Sequence, residues 1–105
     1  MCRLNPKDIR YTQDSISNKF SNGVKVDDLI DSLKAGTVTP DDIPAIRVAK
    51  INEKIYSLDN RRLFAYKTAG IKSVPVQWVS NIPQGRFTTL TDGLSIFVRG
   101  GSKFL

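Results

Sequence analysis

The chain has 105 residues, 40% of them apolar and 25% charged, which suits one globular domain that buries a modest core without disulfides or a structural metal. One cysteine, Cys2, and no histidine exclude an internal disulfide, Cys-rich or His-ligated zinc, Ser-His-Asp and Cys-His triads, and nucleases built on a histidine base. Sixteen Lys and Arg against ten Asp and Glu leave a formal net charge of +6, which favours polyanions such as nucleic acid, nucleotides or acidic membranes, or else is only a soluble basic surface.

Residues 1–8 read as a flexible lead-in. They lack the apolar core of a signal peptide, and no apolar run approaches the ~20 residues of a membrane span. No membrane partner and a cytoplasmic site of action are therefore expected. Cys2, beside the initiating Met, is expected to have no role. Residues 9–16 are rich in β-formers and predict a strand leading into a loop, with Phe20 anchoring that loop to the core and Asn22-Gly23 as a turn.

Val26, Leu29, Ile30 and Leu33 fall at i, i+3, i+4 and i+7 and predict an amphipathic helix. Asp27 and Asp28 suit its first turn and Gly36 its end. Asp27, Asp28 and Asp31 read as a solvated face rather than a metal cluster. Thr39-Pro40-Asp41-Asp42-Ile43-Pro44 is a tight connector with Thr39 capping a brief turn. Residues 45–49 and 55–58 predict two strands of a hairpin with its tip at Asn52-Glu53-Lys54. Glu53, the sole glutamate, is thus a turn residue and not a catalytic acid.

A second helix follows Asp59, a good N-cap, and ends at Gly70. Leu63 and Tyr66 mark its apolar side, and Ala65 and Ala69 permit close packing. Residues 73–79 predict a strand with Val74, Val76 and Trp78 on one face. Pro75 argues that this strand is an edge or that Pro75 sits at its beginning. In the tail, residues 86–89 and 94–98 flank the Asp92-Gly93 turn and predict a hairpin added to the sheet.

The chemistry concentrates at Asp59-Asn60-Arg61-Arg62. Two arginines in a first helical turn are electrostatically unfavourable, because that end already carries positive partial charge and unpaired N–H groups. A bound phosphate reverses the sign, accepting bonds from N–H groups and guanidinium alike; Asn60 adds a neutral donor. The alternative is that Arg61 and Arg62 simply pair with Asp59 or other acids.

The segment from Leu58 to Val76, with Asn60-Arg61-Arg62 opening a helix, then Ala69-Gly70 and Val74-Pro75-Val76, resembles the ParB/sulfiredoxin superfamily. Members carry a Gly-Glu/His-Arg-Arg box, then Ala-Gly and a Val-Pro-Val strand. Ile43-Pro44-Ala45-Ile46-Arg47-Val48 fits the same layout, and Tyr11-Thr12-Gln13 is similar to an earlier, glutamine-bearing box. The likeness covers roughly residues 9–79, with 80–105 as a C-terminal β extension of the same domain. It implies an α+β fold, a small mixed sheet with two main helices plus a C-terminal β-hairpin. It also implies a phosphate or nucleotide pocket where Arg61 and Arg62 meet the Gln13 loop. Asn60 departs from the family's Glu or His, and sulfiredoxin's catalytic cysteine has no counterpart here, so sulfinic acid reduction is rejected. The layout including the tail is similar to ParB-like C-terminal toxin domains of bacterial Rhs and contact-dependent polymorphic toxins, which implies a nucleotide or nucleic acid as partner and an immunity protein if the chain is a toxin.

Three functions follow as expectations. The first is a toxin-like nuclease or nucleotide phosphohydrolase or phosphotransferase. In it Asn60, Arg61, Arg62, Gln13 and Arg10 hold the phosphate, Asp59 or Asp14 is the base or a magnesium ligand, and Mg2+ with a nucleoside triphosphate is the cofactor set. The second is a non-catalytic nucleotide- or nucleic-acid-binding module, which needs donors and no base. The third is an interaction domain whose site has decayed.

Overall fold

A computed structural model of the chain describes residues 2–13, 15–20, 23–80, 96–99 and 103–104. Its strands are β1 (Cys2–Leu4), β2 (Ile9–Tyr11), β3 (Ser15–Ser17), β4 (Ile46–Ile51), β5 (Lys54–Ser57), β6 (Val74–Trp78), β7 (Phe97–Arg99) and β8 (Lys103–Phe104). Its helices are α1 (Val26–Ala35) and α2 (Asn60–Ala69), and short 3-10 turns lie at Pro6–Asp8 and Pro40–Asp42. The fold is α+β, as expected: a five-stranded mixed sheet in the order β1-β6-β4-β5-β2 with two helices packed against it.

Local chemistry accounts for the elements. In α1, Val26, Ile30 and Leu33 are buried and Leu29 is partly buried against the same core, the apolar stripe of a helix lying on a sheet. Gly36 and Gly70 end the two helices at φ +77° and +75°, a left-handed conformation in which a β-carbon would be strained. Asn52 and Glu53 both have positive φ, 50° and 67°. They form the two-residue turn between Ile51 and Lys54, which are paired across β4 and β5. That short turn fixes the register: Val48 faces Ser57 and Ala49 faces Tyr56, so Arg47 falls beside Leu58 and the start of α2.

The main core joins Ile9 and Tyr11 of β2, Ile46 and Val48 of β4, and Val74 and Val76 of β6 to both helices. α2 is buried over more of its circumference than one stripe would give. Leu63, Phe64, Ala65 and Tyr66 are all buried, because the helix lies against both the sheet and α1. A smaller cluster of Ala49 and Tyr56, with Ile51, Leu58 and Val79 against it, forms on the opposite face.

Three expectations differ from the structure. The lead-in is not loose: Cys2–Leu4 is an edge strand antiparallel to β6. Arg3 anchors it, donating to the Ser73 hydroxyl (2.9 Å) and to Asp41 (2.7 Å). β6 therefore lies inside the sheet, and Pro75 fits there because it sits near the strand's beginning, one residue before the parallel register with β4 starts at Val76. The strand expected over 9–16 is split. β2 pairs parallel with β5, while β3 leaves the main sheet to pair parallel with β7, which pairs antiparallel with β8 in a separate three-stranded sheet. The strand read over 94–98 is thus present at Phe97–Arg99, but in that second sheet and with Lys103–Phe104 as its hairpin partner. Residues 86–89 and the Asp92-Gly93 turn lie outside the described residues.

Candidate functional site

β2, the β4–β5 hairpin and α2 converge at the start of α2. A buried polar clamp fixes the convergence. Ser57 and Thr12 are fully buried and Asn60 is 4% exposed. Asn60 Oδ1 accepts the Thr12 N–H (2.9 Å), and Asn60 Nδ2 donates to Thr12 Oγ1 (2.9 Å) and, at 3.4 Å, to Gln13 Oε1. Thr12 Oγ1 donates to the Ser57 carbonyl (2.9 Å), and Ser57 Oγ accepts the Asp59 N–H (2.9 Å). The buried side-chain polar atoms of Thr12, Ser57 and Asn60 are thereby satisfied. An amide serves at position 60 because it accepts and donates at once, which a carboxylate does not do. Asn60 thus locks the Thr12-Gln13 loop to the helix.

Asp59 is the N-cap residue, yet its side chain makes no cap hydrogen bond. It turns to Arg47 instead. Oδ2 accepts the Arg47 backbone N–H (2.7 Å) and Nε–H (3.2 Å), and Oδ1 accepts from Arg47 Nη2 (2.8 Å), with Arg62 Nη2 at 3.3 Å. The carboxylate is only 8% exposed. Burial pushes its pKa up, but the hydrogen bonds from Arg47 and the charges of Arg62 and Arg47 outweigh that and hold it below the usual carboxylate range. A carboxylate so held is a weak proton acceptor, and its two oxygens hold the Arg47 and Arg62 side chains.

Arg61 donates to the Lys19 carbonyl (2.8 Å), with its guanidinium 5.6 Å from the centroid of the Phe20 ring. Phe20 packs against the core from the α1-side loop, the anchor expected of it. Arg62 donates to the Pro44 carbonyl (2.7 Å). The two arginines therefore diverge, as successive helical residues must. Both still border one cavity of about 190 Å³, together with Gln13, Phe20, Arg47, Leu58, Asp59 and Asn60. Three guanidinium groups against one carboxylate leave its wall positively charged.

Of the residues expected at a phosphate site, Gln13, Asn60, Arg61 and Arg62 are brought together with Asp59, while Arg10 is not: it lines a different cleft. Asp14 lies outside the described residues. Arg47 was not foreseen. Its signal is the alternation of β4, where Ile46 and Val48 are buried and Arg47 is exposed, combined with the hairpin register that sets it beside Asp59. Among the described residues no group of three Asp, Glu or Cys could hold a metal ion, and no helix is long and apolar enough to cross a membrane. The chain matches no family model and no curated protein.

Proposed function

We propose that this chain binds a phosphoryl group of a nucleotide or nucleic acid at the start of α2, as a ParB/sulfiredoxin-like module. The observation that carries this reading is the cavity at Arg47, Arg61 and Arg62, where the N-cap carboxylate serves the arginines rather than the helix N–H groups. An anion there replaces an excess of positive charge with a balanced one and accepts charge-assisted bonds from guanidinium. A volume of about 190 Å³ is below the ~300 Å³ at which pockets enclose a whole small molecule. The fit is to a phosphoryl group whose nucleoside or chain remains outside.

The catalytic reading, a toxin-like nuclease or nucleotide hydrolase with an immunity protein as partner, keeps the same arginines as stabilisers of transferring phosphoryl charge. It draws support from the resemblance to toxin tips. The engagement of Asp59 favours binding over catalysis, and the catalytic reading then leaves Asp14 as the base or magnesium ligand. A thermal-shift panel of nucleotides with and without Mg2+, on wild type and Arg62→Ala, tests both. A phosphorylated ligand that binds the folded state raises the wild-type Tm, by about 2.7 kcal/mol of stability at one hundred times its Kd, and raises that of the variant far less. Turnover of DNA, RNA or a nucleoside triphosphate that Asp14→Asn abolishes favours the enzyme. Equal shifts in wild type and Arg62→Ala contradict the site.

A further inference from the structure

A second cleft, of about 380 Å³, opens between the Pro6–Asp8 turn, β2, the tip of the β4–β5 hairpin and the last turn of α2. Its charged lining is Lys7, Arg10, Lys54 and Lys67 against Asp8 and Glu53, an excess of two positive charges. Lys67 is the unusual member. A lysine in the last turn of a helix is favoured by the helix dipole and ordinarily extends its ammonium into water. Here the ammonium instead lies 4.5 Å from the ring centroid of Tyr11, a side chain with no exposed surface. The ring face favours the charged form, yet burial and, to a lesser extent, the nearby Arg10 pull the ammonium down to about 8. A desolvated ammonium crowded by a second cation in a cleft of net positive charge is the environment that an anion relieves.

We propose that this cleft is a second anion site, separate from the cavity at the start of α2, which takes a phosphoryl oxyanion against Lys67 and Arg10 with Lys7 and Lys54 at the rim. The oxyanion comes either from free phosphate or pyrophosphate, or from a phosphodiester of a nucleic acid strand. Arg10 lies three residues before Gln13, which borders the first cavity, a separation of about 10 Å along an extended chain. One phosphorylated strand is long enough to engage both sites, whereas free pyrophosphate fills each separately.

Amine labelling read by mass spectrometry tests the site where it lies. At pH 8 an acetylating reagent modifies Lys67 in the free protein. Saturating inorganic pyrophosphate slows that modification at least fivefold, in wild type and equally in Arg62→Ala, because the second site does not use Arg62. Titration calorimetry of Lys67→Met shows one pyrophosphate-binding event fewer than wild type, while Arg62→Ala loses the other event and keeps this one. A short single-stranded oligonucleotide that protects Lys67 at lower concentration than pyrophosphate identifies the phosphodiester as the source, and the reverse order identifies the free anion. Unchanged labelling of Lys67 under both ligands, or protection that disappears in Arg62→Ala, overturns the proposal.

Discussion

Replacing Asn60 with Leu separates what holds the site together from what binds in it. The substitution keeps the heavy-atom count and the branch at Cγ but removes the acceptor of the Thr12 N–H and the donor to the Thr12 hydroxyl, each at 2.9 Å; the 3.4 Å contact to Gln13 is too long to count for much. Thr12 Oγ1 keeps its bond to the Ser57 carbonyl, so its loss is small. The Thr12 N–H, in a residue with no exposed surface, is left without an acceptor, which costs about 1–3 kcal/mol, and the second lost bond adds about 1 kcal/mol. A total of about 2–4 kcal/mol is a large part of the 5–15 kcal/mol that holds a domain of this kind folded. It corresponds to a fall in Tm of roughly 10–20 °C at this chain length. Asn60→Asp retains the acceptor but loses the donor and buries a second carboxylate beside Asp59, so it falls by a comparable amount. Thermal unfolding followed by circular dichroism measures both. A decrease below about 3 °C in either variant, less than 1 kcal/mol, refutes the clamp.

Three further outcomes follow from the same contacts. Arg3→Ala, which breaks an ion pair whose side chains are 38% and 64% exposed, lowers stability by no more than about 1 kcal/mol in denaturant titration. Lys67, with a folded pKa of about 8 against an unfolded value of 10.5, destabilises the fold while charged. Stability therefore rises between pH 8 and 10 by about 2 kcal/mol after allowance for solvent screening, and Lys67→Met abolishes the rise. Above that window, Tyr66, pushed up to about 12 by burial, reverses the trend, because the unfolded chain ionises its tyrosines first. Asp59, with its pKa depressed by Arg47 and Arg62, contributes stability that is full above its unfolded pKa of about 4 and is lost as pH falls through the lower folded value. Wild type accordingly loses more stability on acidification below pH ~4 than Asp59→Asn does.

Much of this architecture is legible in the sequence because it rests on local signals. The Val26, Leu29, Ile30, Leu33 stripe and the glycines at 36 and 70 delimit α1 and α2. The Asn52-Glu53 turn sets the hairpin register, and the two arginines after Asp59 mark, by their unfavourable placement, the cavity at the start of α2. What escaped depends on partners distant in the chain. Cys2–Leu4 is ordered by pairing with Val74–Val76 and by Arg3 reaching Ser73 and Asp41, contacts that no window of residues 1–8 contains. Ser15–Ser17 leaves the main sheet because its partner strand lies some eighty residues onward. Arg47 is an ordinary exposed strand residue until the hairpin sets it against Asp59. Arg10, close to Gln13 in sequence, faces another cleft because β2 ends between them and runs on into a loop.

On the proposed function, a phosphoryl group sits against the first turn of α2 beside Arg47, Arg61 and Arg62. The most direct measurement is a pyrophosphate titration followed by amide chemical shifts of the nitrogen-15-labelled protein. Binding there gives saturable shifts of the Asn60, Arg61 and Arg62 amides, with an affinity that weakens at least tenfold in Arg47→Ala. Backbone amides at 60–62 that stay fixed while the ligand saturates elsewhere contradict it.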